Sequence, residues 1–451
     1  MASLVPLLFR RLSRTLTTSV RRQHLLKSVS QRQTYQLQIN QRHWFSTLSK
    51  CPSSIHTFGS ICRHCSSANT EKKVTFDLTD DHVIARLQDK TFHCSYFWLR
   101  DHCQCPECFD VNTNQHLVAT DTVDPDIVPK TLNCTEEGMN IVWPDNHETC
   151  YPWDWLLENG PGQHLANGNG TDHKHVLWDG AALQSQLPAD VGFDELLSTD
   201  EALKTLMETL YKYGIAFVCN VPPTEEDTQT AVERIGAILD TFYGKMWTFT
   251  ADLAMADTAF TNANLDSHTD TSYFYEPAGL NNVCPSLQVL HCLHHDGTGG
   301  ENPMVDGFRA VDTLRRNYPE HFDTLCRIPL IGQYIGDSRN LSTPYYTIAL
   351  NPITHEIEHV RFNVYDRGPL SHLSEEDITA YYKAFRILAQ EIRDPSSIYY
   401  VIPKPGRMMI FDNWRVLHGR KGFTGKRIMT GCYVSRCEYL NRLRTAANIR
   451  V

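Results

Sequence analysis

The distribution of strand-like runs is the feature that most restricts the fold of this 451-residue chain. The second half contains four short β-like runs, at Leu287–Cys292, Val360–Asn363, Met408–Phe411 and Ile428–Ser435. They are scattered among a few helices and do not alternate with them one to one. This pattern predicts an α+β domain over residues 171–451, built on a sheet barrel, and argues against repeated β-α-β units.

Three segments of the same region show helical signals. Asp200–Tyr213 has leucines on one face and is followed by Gly214, which suits a helix end, and by a predicted strand at Ile215–Cys219. Thr224, with Asp227 three residues later, predicts a second helix start; its apolar face comprises Val232, Ile235, Leu239 and Phe242. Ser374 predicts a third start, with an apolar face of Ile378, Tyr382, Phe385, Leu388 and Ile392.

Two motifs in this region offer metal ligands. In His268-Thr269-Asp270, residues i and i+2 of an extended segment point to the same side, so both side chains can reach one cation. The second motif, Asp412–Arg420, contains His418. Two imidazoles and one carboxylate form the facial triad of non-haem Fe(II) oxygenases. The alternative, three unrelated polar residues without a metal, is disfavoured by the length of the second motif.

A 2-oxoglutarate chelated to such an iron would leave its far carboxylate to be paired, ideally by a bidentate arginine. Arg427 lies shortly after His418, at the start of the next predicted strand. Arg415, Arg420 and Arg436 are alternatives that the residues alone leave open.

The region of residues 74–160 predicts a separate small domain that binds zinc. Short strands are expected at Val74–Phe76, Val83–Leu87, Phe92–Leu99 and Asn140–Trp143. Cys103, Cys105 and Cys108 lie close enough in sequence to surround one Zn²⁺, which needs a fourth ligand. Candidates for that ligand are His147, His102, His116 and Cys134. A closed thiolate site is expected to be structural, and a loose group of free thiols is the alternative.

The N-terminal residues 1–70 contain no Asp or Glu but ten Lys or Arg, interleaved with Ser, Thr and Leu. This composition predicts a mitochondrial transit peptide or disordered leader. A basic arm for nucleic acid is the alternative, but the acidic remainder of the chain would repel phosphate. No stretch approaches the roughly 18 apolar residues of a membrane-spanning helix, so no membrane partner is expected either.

Together these motifs resemble the gamma-butyrobetaine and trimethyllysine dioxygenase family. The resemblance spans roughly residues 74–445 and is carried by Trp98–Asp101, Tyr213–Val218, His268–Asp270, Val305–Phe308 and Asp412–Arg420. It implies a double-stranded β-helix (jelly-roll) oxygenase core beside a small β-rich zinc domain. It also implies iron at His268, Asp270 and His418, 2-oxoglutarate at Arg427, and zinc at Cys103, Cys105, Cys108 and His147.

A quaternary ammonium has no N–H to donate, so aromatic faces recognise it. The resemblance implies that Tyr243, Trp247, Phe260 and Tyr433 form such a cage; ordinary core packing is the alternative. Asp257 aligns with an Asn that holds the substrate carboxylate in butyrobetaine enzymes. An acid there would attract the α-ammonium that only trimethyllysine carries and would repel a bare carboxylate, which favours the trimethyllysine branch.

The implied reaction is C3 hydroxylation of Nε-trimethyllysine with O₂, the first step of carnitine biosynthesis. Ascorbate as reductant, a homodimer and the mitochondrial matrix follow from the same resemblance. Rival functions are gamma-butyrobetaine hydroxylation and a non-catalytic, zinc-containing interaction protein. The chain departs from the family by about six extra residues around Asn281–Ser286, which a loop could absorb at modest entropic cost; a shifted strand register is the alternative.

Overall fold

The computed structural model describes residues 74–87, 90–162, 174–251, 261–274 and 285–449. The leader expected at residues 1–70, Asp257, Phe260 and residues 281–284 of the extra segment lie outside these ranges. No helix within the described ranges has the length and apolar character needed to cross a bilayer.

The N-terminal region consists mainly of two small antiparallel sheets. Its elements are β1 (Val74–Leu78), β2 (His82–Leu87), β3 (Lys90–Ser95), α1 (Tyr96–Asp101), β4 (Phe109–Asp110), β5 (Gln115–His116), β6 (Thr131–Cys134), β7 (Gly138–Val142), β8 (Glu148–Pro152) and α2 (Trp153–Asn159). The sheets have the orders β1-β2-β3 and β6-β7-β8. Buried aromatic side chains, including Phe92, Trp143 and Tyr151, form their core.

The strand predicted at Phe92–Leu99 is wrong beyond Ser95, where the chain turns into helix α1. The Ser95 hydroxyl accepts a hydrogen bond from the Trp98 backbone N–H at 3.1 Å. A serine that satisfies a free N–H of the first turn favours a helix start, and here it outweighs the strand preference of the aromatic residues that follow.

The remaining described residues form the larger α+β region. Its elements are α3 (Gly180–Gln186), β9 (Val191–Gly192), α4 (Phe193–Ser198), α5 (Asp200–Tyr213), β10 (Ile215–Cys219), α6 (Glu225–Glu233), β11 (Trp247–Phe249), β12 (Leu265–His268), β13 (Pro285–His295), β14 (Asn302–Asp306), α7 (Gly307–Asn317), α8 (Pro319–Arg327), β15 (Pro329–Gly336), β16 (Arg339–Tyr346), β17 (Ile348–Leu350), β18 (Ile357–Val360), α9 (Glu375–Arg393), β19 (Ile398–Val401), β20 (Arg407–Asp412), β21 (Val416–Arg420), β22 (Arg427–Ser435) and α10 (Arg436–Ala446).

Two sheets of this region form the expected jelly roll, a double-stranded β-helix. One has six strands in the order β11-β22-β13-β20-β10-β9, and the other has four in the order β12-β21-β14-β19. A pocket lies between them and is lined by residues of both, among them Gln288 and Tyr433 from the first sheet and His268 and His418 from the second. The outer face of the six-stranded sheet is covered by α5, α6 and α10 around a shared apolar core.

The helix signals were correct in two of three segments, although Tyr382, predicted on the apolar face of the third, is 46% exposed and Tyr381 is buried instead. Helix α5 ends at Gly214, whose φ of 73° is the left-handed conformation that glycine adopts most easily, and Ser374 caps α9. The prediction that the helix after Thr224 continues to Phe242 is wrong, because α6 ends at Glu233. The following residues pair with β22 instead: Ile238 bridges Val434, and the Leu239 N–H donates to the Tyr433 carbonyl at 2.8 Å.

The run predicted as a strand at Val360–Asn363 is strand only at its first residue, the last of β18. The backbone N–H groups that follow bond to other segments: that of Arg361 donates to the Thr347 carbonyl at 2.8 Å, and that of Phe362 donates to the Thr269 hydroxyl at 3.0 Å. These backbone N–H groups therefore have hydrogen-bond partners, but the partners lie in distant segments and not in a neighbouring strand.

A buried ion pair joins several segments at one end of the four-stranded sheet. The guanidinium of Arg415 donates to both oxygens of Asp306, at 3.0 and 2.8 Å, and both side chains are almost fully buried. Asp306 also accepts from the N–H groups of Phe308, where it caps α7, and of Trp178. Arg415 further donates to the carbonyl of Val176. All the charges in this buried cluster are therefore hydrogen-bonded.

Candidate active site and second metal centre

His268, Asp270 and His418 converge at the pocket between the two sheets. His268 ends β12 and lies directly opposite His418 of β21 in the antiparallel ladder. Oδ1 of Asp270 is 3.0 Å from Nε2 of His268 and 3.7 Å from Nε2 of His418. The three donor atoms all lie within 4.8 Å of one another.

This donor set fits a divalent first-row metal. Adjacent ligands of an octahedral ion with bonds of about 2.1 Å are about 3 Å apart, which is close to the separations found here. The Nδ1 atom of His268 bonds to the carbonyl of Asp266 at 2.8 Å, which orients Nε2 towards Asp270. Burial is the main reason that the pKa of His418 is lowered to about 4, so this imidazole is neutral and can offer a lone pair.

The backbone of the His268–Asp270 motif is fixed by two asparagines that the sequence did not indicate. The amide of Asn413 accepts from the N–H of Asp270 at 2.8 Å and donates to its carbonyl at 3.2 Å. The amide of Asn363 donates to the carbonyl of Thr269 at 3.1 Å. Both asparagines are buried, so the ligand motif is held from two sides.

A second feature missed from the sequence is Gln288 of β13. Its Nε2 donates to Oδ2 of Asp270 at 2.8 Å, and the Tyr433 hydroxyl donates to the same oxygen at 2.8 Å. The signal available was a glutamine flanked by the apolar residues Leu287, Val289 and Leu290, because buried amides need hydrogen-bond partners.

Arg427 is the pocket arginine best placed to receive an anion. Its side chain is 4% exposed, and it forms no ion pair within the described part of the chain. Burial, followed by repulsion from Arg420, lowers the pKa of Arg427 to about 10, although the group remains charged at neutral pH. Two of the alternatives are already paired, Arg415 with Asp306 and Arg436 with Asp412. Arg420 also lines the pocket and donates to the Ala263 carbonyl.

The other pocket walls are rich in aromatic side chains. Tyr243, Trp247 and Tyr433 line the pocket, as the cage hypothesis requires, and the Trp247 and Tyr433 ring centroids are 5.4 Å apart. The remaining cage candidate, Phe260, lies outside the described residues, as does Asp257, which is predicted to bind the α-ammonium. Three further aromatic residues that the sequence did not single out, Phe249, Tyr273 and Tyr365, also line the pocket.

The second candidate metal centre lies in the N-terminal region. Nε2 of His147 is 3.2 Å from the sulfur of Cys103 and 3.5 Å from the sulfurs of both Cys105 and Cys108. A tetrahedral zinc with bonds of about 2.3 Å to sulfur and about 2.0 Å to nitrogen would place these atoms about 3.5 Å apart. His102, His116 and Cys134 are not members of this group. The donor set therefore fits zinc with His147 as fourth ligand.

The jelly roll, with two imidazoles, a carboxylate and a buried arginine around one pocket, defines the class of iron- and 2-oxoglutarate-dependent dioxygenases. Residues 179–433 match the model of the taurine catabolism dioxygenase TauD, TfdA family, and residues 79–157 match that of gamma-butyrobetaine hydroxylase-like N-terminal regions. The chain belongs to the TauD, TfdA family and, within it, to the gamma-butyrobetaine and trimethyllysine dioxygenases.

Relatives that match over most of their own length support this assignment. The chain is 39% identical over 394 residues to the mitochondrial trimethyllysine dioxygenase of Gallus gallus, covering 85% of this chain and 90% of the relative. It is 38% identical to the mitochondrial trimethyllysine dioxygenase of Homo sapiens, covering 81% and 85%. It is 32% identical to the trimethyllysine dioxygenase of Meyerozyma guilliermondii, covering 77% and 88%.

Proposed function

We propose that the protein is an Fe(II)- and 2-oxoglutarate-dependent dioxygenase that hydroxylates C3 of Nε-trimethyllysine, the first step of carnitine biosynthesis. The observation that carries this proposal is the convergence of His268, Asp270 and His418 at a pocket that also contains Arg427 and aromatic walls. The curated relatives that bear the name of this activity support the choice of substrate.

In this proposal His268, Asp270 and His418 hold the iron, which supplies oxidising power from O₂ and 2-oxoglutarate when bound. Arg427 pairs with the far carboxylate of 2-oxoglutarate, and its burial strengthens that pairing because little water competes. The protein's own contribution is to orient both substrates so that C3 faces the metal.

The quaternary ammonium is assigned to the aromatic part of the pocket. Tyr243, Trp247 and Tyr433 line this part of the pocket, and we add Phe260 to the cage on the strength of the family resemblance. Ring faces attract a cation that cannot donate hydrogen bonds, while water competes poorly in an apolar enclosure. Asp257 would bind the α-ammonium of the amino acid.

The remaining assignments extend the same proposal. Residues 1–70 would direct the protein to mitochondria, as for the relatives named mitochondrial, and the matrix is the compartment we assign. Ascorbate would keep the iron reduced, and the active protein would be a homodimer. Residues 74–160 would form a zinc-binding domain, and residues 171–451 the oxygenase domain.

In the direct test, the purified protein is first loaded with Fe(II) in the absence of oxygen. O₂, 2-oxoglutarate and either trimethyllysine or gamma-butyrobetaine are then added. We expect 3-hydroxy-trimethyllysine, detected by mass spectrometry, in equal amount to the succinate released. Turnover of gamma-butyrobetaine alone would replace our substrate with the rival one. Absence of succinate with both compounds would favour the non-catalytic interaction protein.

The zinc proposal predicts the effect of Cys108→Ala, which removes a buried thiolate ligand. Purified parent protein should contain one equivalent of zinc, and the variant should lose it together with part of its thermal stability, because binding free energy at a structural site is folding free energy. Elemental analysis and thermal unfolding provide the measurements. Cys437→Ala, at an exposed thiol, is the matched control. Unchanged zinc content in Cys108→Ala would contradict the assignment.

A further inference from the structure

The two oxygens of the Asp270 carboxylate have different surroundings. Oδ1 faces both imidazoles, at 3.0 Å from His268 and 3.7 Å from His418. Oδ2 points away and accepts two hydrogen bonds of 2.8 Å, one from the amide of Gln288 and one from the hydroxyl of Tyr433. One oxygen is therefore directed at the metal position, while the other is held by protein donors.

The two donors form a matched pair in the sheet. Gln288 of β13 lies directly opposite Tyr433 of β22 in the antiparallel ladder, and both side chains are buried. Side chains opposite one another share a face of the sheet and are close enough to reach one acceptor. The oxygen of this amide, Oε1 of Gln288, is buried without a partner among the described residues. The bond from its nitrogen to Asp270 is therefore the contact that explains why a glutamine lies here.

Tyr433 also belongs to the aromatic wall. Its ring centroid is 5.4 Å from that of Trp247. The indole of Trp247 in turn packs against Gly431. A side chain at residue 431 would collide with it, because a Cβ there would lie 2.3 Å from the indole. Glycine is therefore needed for Trp247 to occupy this position. The ring of Tyr433 thus lies beside Trp247 in the pocket lining, while its hydroxyl bonds to the proposed iron ligand.

We propose that Tyr433, together with Gln288, couples occupancy of the substrate cage to binding of the metal. The Tyr433 hydroxyl already bonds to Oδ2 of Asp270 in this structure. A quaternary ammonium packed against the ring stabilises that position of Tyr433 further, and with it the orientation of the Asp270 carboxylate that binds the metal. Linkage is reciprocal, so substrate must tighten metal binding by the same factor by which metal tightens substrate binding. This inference rests on the proposed function, since it needs a quaternary ammonium in the cage.

The test measures binding rather than turnover. The full-length, zinc-loaded protein is titrated with Mn(II), whose preference for oxygen and nitrogen ligands leaves the thiolate site to zinc, in the presence of 2-oxoglutarate. Electron paramagnetic resonance counts free Mn(II) with and without trimethyllysine, and calorimetry gives the Kd of trimethyllysine directly. In the parent protein we expect trimethyllysine to lower the Kd for Mn(II) by about five-fold or more.

Two variants remove one donor each and keep the approximate length of the side chain: Tyr433→Phe, which retains the ring, and Gln288→Met, which retains an unbranched chain. Each should weaken Mn(II) binding by about ten-fold, the usual effect of losing a partner of a metal ligand. In Tyr433→Phe the effect of trimethyllysine on the Kd for Mn(II) should also disappear, although trimethyllysine still binds.

The matched control is Tyr334→Phe, which removes the hydroxyl of a tyrosine outside the pocket lining, one that bonds to Asp337. It should leave the Kd for Mn(II) unchanged. Two outcomes would overturn this inference but leave the proposed function intact. In one, trimethyllysine binds the parent protein without altering the Kd for Mn(II); in the other, the coupling persists in Tyr433→Phe. Failure of trimethyllysine to bind the parent would instead overturn the proposed function.

Discussion

Replacing Asp270 with alanine is expected to abolish 2-oxoglutarate consumption and metal binding at the pocket. Oδ1 of this carboxylate lies close to both imidazoles, and the other two donors are neutral when they bind a metal, so the variant would lose the negative ligand of the set. Losing an outer partner of a metal ligand already costs about 10–100-fold in affinity or activity, so losing the ligand itself should cost more. Succinate formation and metal content are the measurements.

The control for this prediction is Asp266→Ala, which removes an exposed carboxylate of β12, the strand that precedes Asp270; this carboxylate pairs with Arg393. That variant should retain metal and activity, since only the backbone carbonyl of Asp266 contacts His268. Asp270→Ala should remain folded but be slightly less stable, because Gln288 and Tyr433 lose their acceptor. Parent-like turnover in a folded Asp270→Ala protein would refute the iron assignment.

Replacing Arg427 with methionine should raise the KM for 2-oxoglutarate by about a hundred-fold or more while making the protein more stable. The catalytic loss follows from removal of a bidentate, charge-assisted pair with the cosubstrate carboxylate. The gain in stability follows because Arg427 is a buried charge with a pKa lowered to about 10, and it forms no ion pair within the described ranges. Steady-state kinetics and thermal unfolding without cosubstrate test both parts.

Two comparisons sharpen this experiment. Arg427→Lys keeps the charge but lacks the planar fork of guanidinium, so it should recover only part of the 2-oxoglutarate affinity. Arg386→Met, at an exposed position of α9, should change neither quantity. If Arg427→Met bound 2-oxoglutarate normally, the cosubstrate would have to be assigned to Arg420, the other arginine found in the pocket lining.

The sequence predicted correctly those features that depend on residues close together in the chain. The helix end at Gly214 and the start at Ser374 depend on the conformational freedom or capping ability of one residue. The shared direction of His268 and Asp270 follows from the two-residue period of an extended chain, and it brought both side chains to the same pocket. The jelly roll itself was implied by the family resemblance and is confirmed.

The features that were missed depend on contacts between distant segments. Asn363 and Asn413 bond to the backbone of Thr269 and Asp270 from 94 and 143 residues away along the chain, and no local pattern indicates such a contact. The helix beyond Glu233 was predicted too long because pairing with β22 gives that backbone other partners. The roles of Asp257 and Phe260 stay predictions.

The buried cluster around Asp306 and Arg415 limits how this chain can diverge in sequence. The carboxylate of Asp306 accepts hydrogen bonds from the guanidinium of Arg415 and from the backbone N–H groups of Phe308 and Trp178. No other single residue at this position can replace all of these bonds. Removing one member of a buried pair strands the other charge, which costs about 3–5 kcal/mol. A change at either position is therefore tolerated only together with a change at the other. His418 lies three residues after Arg415, in the middle of β21, so the buried pair also fixes the backbone that leads to this proposed iron ligand.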